Sequence, residues 1–535
     1  MRLPRCRILV VLASSAVLIC SPAGMRAARA AGGADEHVGN VDFPTSCAHE
    51  AQPTLDRGLA LLHSFQYQEA AQTFDEAVKK DAACGMAYWG KAMSLYHQLW
   101  DFPDAKQLAE GRKDVEQAQK SASLTPRERE YIAAAAAFYQ DDPKLSHADR
   151  RKAYSAAMEK LYSENPGDVE AGALYALSLV ALSGDGGDEL AIRRQAIATL
   201  NPLFAAHPNN PGLAHYLIHA ADAPELAEQG LPAARAYAKI APDSSHAIHM
   251  PSHIFMQLGL WPETVDSNLA AIDAAAEATK AGRADAAYQF HAMDFLNYAY
   301  LQCGQETKAR RLVDDLKSVP GAKPEEIAED QALFEARNAM ELHRWKEAAS
   351  LSDRDEPFMW RDVTFWARSI GAARTGNLAA ARRDDKKLAQ AIKAQRKMER
   401  KMGDMVMPGE STEQQQADAW IALAQGKSEQ ALAGLRAAMN REESQRSGGV
   451  AMPAREMLAD MLLELKRPQE ALAEYQNVLK HYPNRFDAVY GAAKAAEAAA
   501  NPKQAQEFYA QLVKISMPGA DRPELQAART LSARH

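Results

Sequence analysis

LDRGLALLHSFQYQEAAQTFDEAVKKDAA (residues 55–83) and, near the other end of the chain, MLADMLLELKRPQEALAEYQNVLKHYP (457–483) present the same parts in the same order. Each has an apolar helical run, a short turn, a Glu-Ala pair at a hinge, an aromatic residue four positions after the hinge alanine (Phe74, Tyr475) and a closing helix. Further copies are legible in ELHRWKEAASL (341–351), IGAARTGNLAAAR (370–382), LAQGKSEQALAGL (423–435) and AAEAAANPKQAQEFYAQL (495–512). Two short antiparallel helices cannot bury their apolar faces alone, so each hairpin has to stack on its neighbours. The composition agrees: 47% of residues are hydrophobic but only 7% aromatic, an alanine-rich balance that favours closely packed helices over strands.

The pattern resembles the tetratricopeptide repeat, TPR, at Gly58, Leu61, Tyr67, Ala70, Phe74 and Ala77 in the first copy and at Ala459, Leu462, Ala471, Tyr475, Val478 and Pro483 in the late one. The resemblance implies an all-α fold, a right-handed superhelical solenoid of helix hairpins, with about a dozen units between residues 51 and 518. The expected organisation is a signal peptide (1–30), a leader (31–50), an N-terminal array with a His-rich groove (51–275), a middle array (276–410), a C-terminal array (411–518) and a tail (519–535). Stretches such as CGMAYWGKAMSLYHQLW (84–100), the run from His215 to Phe255, YQFHAMDFLNYAYLQ (288–302) and PAREMLADMLLEL (453–465) are similar to a group of exported bacterial tetratricopeptide proteins of undefined function.

The N-terminus reads as an export signal. Arg2, Arg5 and Arg7 precede the apolar run ILVVLASSAVLIC (8–20), and Ala28-Arg29-Ala30 offers a small-x-small cleavage site. The expected location is periplasmic or extracellular, with no membrane span in the mature chain. Losing five arginines and no acid with the signal takes the net charge from −8 to −13, which argues against a nucleic-acid partner. Cys47, Cys84 and Cys303 remain; in an oxidising compartment Cys47 and Cys84 can pair, while Cys303 reads as a buried thiol. The basic run 382–401 reads as a solvated helix. Met398, Met402, Met405 and Met407 read as packing residues rather than a soft-metal site.

HYLIH (215–219) and HMPSH (249–253) lie thirty-four residues apart, one repeat period. With Pro208 and Pro242 at repeat position 32, His215 and His249 fall at position 5, His219 and His253 at position 9, and His246 at position 2; in the next unit His291 takes position 2 and Asp294 position 5. At 100° per residue these positions share a stripe about 60° wide. In the resembling family that stripe lines the concave groove, so the seven residues are expected to converge there. Neutral imidazole suits a divalent transition metal such as Zn, Cu or Fe, and Asp222 or Asp294 can add a carboxylate or orient a ring through its second nitrogen. Pro251 removes a backbone donor inside HMPSH, so i, i+4 geometry is expected to be better for His215 and His219 than for His249 and His253. His63 and His97, also thirty-four residues apart, read as remote groove or turn residues.

No H-E-x-x-H, G-x-S-x-G, phosphate loop or paired C-x-x-C motif occurs. The expected function is a binding module whose groove holds a metal, a partner protein or peptide, or both. Two alternatives stand beside it: a hydrolytic or oxidative metalloenzyme using the same residues, with Asp222, Glu225 or Asp294 as base, and a metal-independent scaffold of the cell envelope.

Overall fold

A computed structural model describes residues 37–532 apart from 101, 185–187, 354–360, 403–409 and 444–451. The signal peptide, leader residues 31–36, and Met405 and Met407 lie outside the described residues, as do the side chains of Met398 and Met402. The described helices pair into twelve antiparallel hairpins, from Gln52–His63 with Tyr67–Lys80 to Phe486–Ala498 with Pro502–Ile515. No strand occurs among the described residues.

Local chemistry explains where the helices start and stop. Asp104, Thr125 and Ser146 each form a reciprocal capping box, and Asp168, Asn210, Ser244 and Ser411 accept the N–H two residues inside their helices. The turn inside eight hairpins carries one residue with positive φ: Phe65, Gly259, Gly304, His343, Gly376, Gly426, Lys466 and Ala500. After each, the next N–H returns to a carbonyl five residues back, as in Gln66 to Leu61 and Arg467 to Leu462, which closes the helix end. The spacing of these turns is uneven, so the thirty-four-residue period is a local rule and not one that holds along the whole chain.

The hinge aromatic is the pin between hairpins. Phe74 is buried between Gly58 and Gly90, and a Cβ added at Gly90 would lie 2.3 Å from its ring. Tyr475 repeats this against Gly491, also at 2.3 Å. Such a ring, removed from water on both faces, contributes roughly 1.5–3 kcal/mol.

Nearest-neighbour stacking is not the whole architecture. Helix Gln52–His63 also packs on Pro211–Ala221, and Tyr288 donates to the Phe65 carbonyl at 2.7 Å. Farther along, Trp261 donates to the Asn484 carbonyl, and the buried Arg485 bonds Glu456, Glu341 and Tyr298. Arg522, also buried, pairs with Asp487, and Met517 N–H donates to the Cys303 carbonyl. Glu524–Ser532, in the segment expected as a tail, is a helix that buries Leu525 and Ala528 against the last hairpin.

Cys47 and Cys84 form a disulfide that ties the leader to the second hairpin. Cys303 is a buried free thiol, pushed up to about 12 by desolvation. No helix among the described residues is long and apolar enough to cross a membrane.

Candidate metal centre

Asn210 caps the Pro211–Ala221 helix, and Gly212 lets it approach His63 so closely that a Cβ there would sit 2.5 Å from the imidazole Nδ1. That approach lets His215 Nδ1 donate to the His63 carbonyl at 2.6 Å. In the next repeat the first helix is split into Ser245–His249 and Pro251–Gln257. Met250 nevertheless keeps right-handed helical angles, and His253 N–H takes the Met250 carbonyl three residues back. The turn tightens without swinging away, and His249 Nε2 and His253 Nε2 end 3.1 Å apart. The helix does break at Pro251, and His249 and His253 still meet across the break.

Six histidines gather into two triads, His215, His219 and His246, and His249, His253 and His291, with one ring nitrogen from each member of a triad within 4.8 Å of the others. Both follow one rule, positions 5 and 9 of a repeat with position 2 of the next. Asp294 does not join them. It pairs with Arg337 at 2.5 Å, and the residue at position 9 of its repeat is Tyr298, bound by Arg485. The third repeat thus contributes one ligand, His291, and ends the series.

Hydrogen bonds fix the ring tautomers. His253 Nδ1 faces Asp222 Oδ2 at 2.8 Å, so it carries the proton. His249 Nδ1 faces Asn268 Oδ1 at 2.7 Å, and the Asn268 amide is oriented by its own donation to the Thr264 carbonyl, so this Nδ1 is protonated too. In the neutral rings both Nε2 atoms are then lone pairs, and they face one another at 3.1 Å. Two acceptors at that distance repel unless a cation lies between them. Two ligands on a tetrahedral ion with Zn–N bonds of about 2.0–2.1 Å lie roughly 3.3 Å apart, close to what is seen. In the first triad His215 Nε2 is likewise left as an acceptor, 3.1 Å from His246 Nε2, and His219 Nε2 is buried with no hydrogen-bond partner.

Burial disfavours the charged form of five of the rings. Desolvation lowers His215 to about 3 and holds His219, His246 and His249 well below the usual imidazole range, with the neighbouring histidines adding to the effect. His291 is exposed on the cavity, and partial desolvation lowers it to about 4. Each triad rests on one phenylalanine. Phe65 lies 4.4, 5.5 and 5.7 Å from His215, His219 and His246, and Phe295 lies 4.9, 4.4 and 5.2 Å from His249, His253 and His291.

His63 and His97 are not remote, because the first hairpins fold back onto the fifth. His63 is buried between Glu170 and Tyr216 and orients His215. His97, stacked on Tyr67, lines a cavity of about 450 Å³ that also touches His219, His246, His253 and His291. Phe65, Asn268, Trp100 and Phe295 carried no sequence signal. Glu225 lies by His481, and Asp222 also accepts from Gln257, so Asp222 acts as a ring orienter. A larger cleft of about 780 Å³, lined by Arg127, Asp168 and Asn210 among others, touches neither triad. Cys47, Cys84 and Asp81 also cluster, but both sulfurs are spent in the disulfide.

A tetratricopeptide-repeat family model matches residues 462–531, the stretch that spans the last hairpins and the closing helix. Residues 462–531 thus carry the tetratricopeptide repeat, and the other described residues form helix hairpins as well. Among solved structures, this repeat protein is similar to a human IFIT1 dimer with PPP-AAAA, at 13% identity over 86% of this chain and 89% of that one, with a TM-score of 0.34. It is also similar to YrrB, described as a TPR protein with an unusual peptide-binding site, at 15% identity over 37% of this chain and 90% of that one, TM-score 0.20. A third likeness is a tetratricopeptide repeat protein from Parabacteroides merdae, at 12% identity over 52% of this chain and 97% of that one, TM-score 0.30. No curated protein matches the sequence.

Proposed function

We propose that this tetratricopeptide-repeat protein is an exported binding module that holds transition-metal ions in its two histidine triads. The observation that carries the reading is the pair of lone pairs on His249 and His253, 3.1 Å apart with both Nδ1 protons committed elsewhere. Asp222, Asn268 and the His63 carbonyl supply the outer hydrogen bonds by which proteins fix metal-binding imidazoles. Export is supported by the N-terminal charge and apolar pattern and by the Cys47–Cys84 disulfide, a bond that persists in oxidising compartments. A partner peptide in the groove belongs to the same reading, since repeat solenoids present extended concave surfaces.

The test is elemental analysis of the mature protein, purified without chelator and then offered Zn, Cu, Ni and Fe, beside a His215→Ala, His249→Ala double variant. Stoichiometric metal in the parent and its loss in the variant support the proposal. A parent that takes up no metal refutes it, and a variant that retains full metal moves the site elsewhere.

A further inference from the structure

The two triads are neighbours, and that adjacency goes beyond metal binding as such. Ring centroids across the triads, His219 to His253 and His246 to His249, are 6.2 Å apart, against 4.7–6.4 Å inside the first triad and 4.4–5.7 Å inside the second. His219 is thus slightly nearer to His253 of the other triad than to His246 of its own, at 6.4 Å. Ions held in both would be near enough for one small ligand to touch both.

Charge narrows the metal. All six donors are imidazole nitrogens; Asp222 bonds His253, and Arg283 and Asp285, of opposite charge, line the shared cavity. Asp294 is committed to Arg337 and Glu170 to His63. Two divalent ions would bring four positive charges into a buried, aromatic-floored site with little to balance them, at high desolvation cost. Cuprous ions bring half that charge and accept three-coordinate nitrogen ligation, and imidazole is a ligand suited to copper.

Access completes the case. The 450 Å³ cavity reaches His219 and His246 of one triad and His253 and His291 of the other, and is also lined by Tyr67, Trp100 and Tyr288. Trp100 is 41% exposed at its edge.

Resting on the metal-binding reading, we infer that the two triads form one coupled dinuclear copper centre that takes up dioxygen between its ions. Each Cu(I) gives one electron: two Cu(I) and O2 become two Cu(II) and a bridging peroxide dianion, with no proton required. The dianion then offsets the charge gained by the metals.

The experiment loads metal-free full-length mature protein with Cu(I) without oxygen, counts the copper, and admits air while recording oxygen uptake and the Cu(II) spin signal. Expected are about two copper ions per chain, about one O2 consumed for each pair, and a spin signal from only a small fraction of the copper, because the two Cu(II) spins couple through the bridge. His246→Ala and His291→Ala, each shown to be folded by circular dichroism and thermal melting, are each expected to hold about one ion whose full spin signal appears on oxidation. Two ions with full signal in the parent would make the sites independent and overturn the inference while metal binding stands. A single ion per chain, or zinc displacing copper in competition, would overturn it likewise. Failure to bind any metal would remove the underlying reading itself.

Discussion

At the scale of the residue, the candidate site rests on who holds each ring proton. Asp222→Asn keeps the shape but replaces a carboxylate acceptor with an amide, so His253 loses basicity and orientation. Metal affinity measured by chelator competition is expected to fall about 10–100-fold, and unchanged affinity would remove Asp222 from the orienting role. Acid acts in the same place. In the metal-free fold His215 stays neutral down to about 3, whereas in the unfolded chain it titrates near its ordinary 6.5. Between those values the unfolded chain binds more protons, so stability is intact above pH 6.5 and is lost as pH falls toward 3. His219, His246 and His249 shift in the same direction and steepen the loss. Urea melts of metal-free protein across that range check it; a flat profile would mean that these rings do not stay neutral. The gathering of the histidines was legible in the sequence because a period of thirty-four residues gives His215 and His249, and His219 and His253, equivalent places; their division into two triads was not. Asn268 was not legible, because its amide reaches His249 from the second helix of the hairpin, where nothing in the pattern marks it.

At the scale of the element, the hairpin is the unit, and its weak points are where backbones or rings come close. Gly90→Ala places a methyl 2.3 Å from the Phe74 ring, which Gly58 hems in from the other side. The expected loss is about 1–3 kcal/mol in chemical denaturation, and a neutral result would mean the hairpins have slack. Pro251 shows how far a sequence rule carries. Proline disfavours helical angles in the residue before it, yet Met250 adopts them because it is fully buried among its neighbours, and tertiary packing outweighs the local preference. Asp294 shows the opposite limit. Its repeat position matched the ligand stripe, but Arg337, on the next repeat's first helix, claimed it.

At the scale of the whole molecule, contacts between distant repeats place the site. The return of the first hairpins onto the fifth brings Phe65, His97 and Trp100 to the histidines, and the Arg485 cluster joins the late repeats to Tyr298 and Glu341. A repeat pattern specifies neighbours and carries no label for contacts made after the solenoid curves, so these residues were read as remote or missed. Arg485→Ala would leave Glu456 and Glu341 buried without their cation and is expected to cost about 3–5 kcal/mol, read from denaturant unfolding. A loss below about 1 kcal/mol would mean water replaces the guanidinium. The central claim is that two histidine triads are built to hold metal, and anomalous diffraction from crystals soaked in copper tests it most directly. The account predicts one peak inside His215, His219 and His246 and another inside His249, His253 and His291, each with nitrogen ligands at about 2.0–2.1 Å; crystals with no anomalous peak in either triad, and His249 and His253 still facing each other, would contradict it.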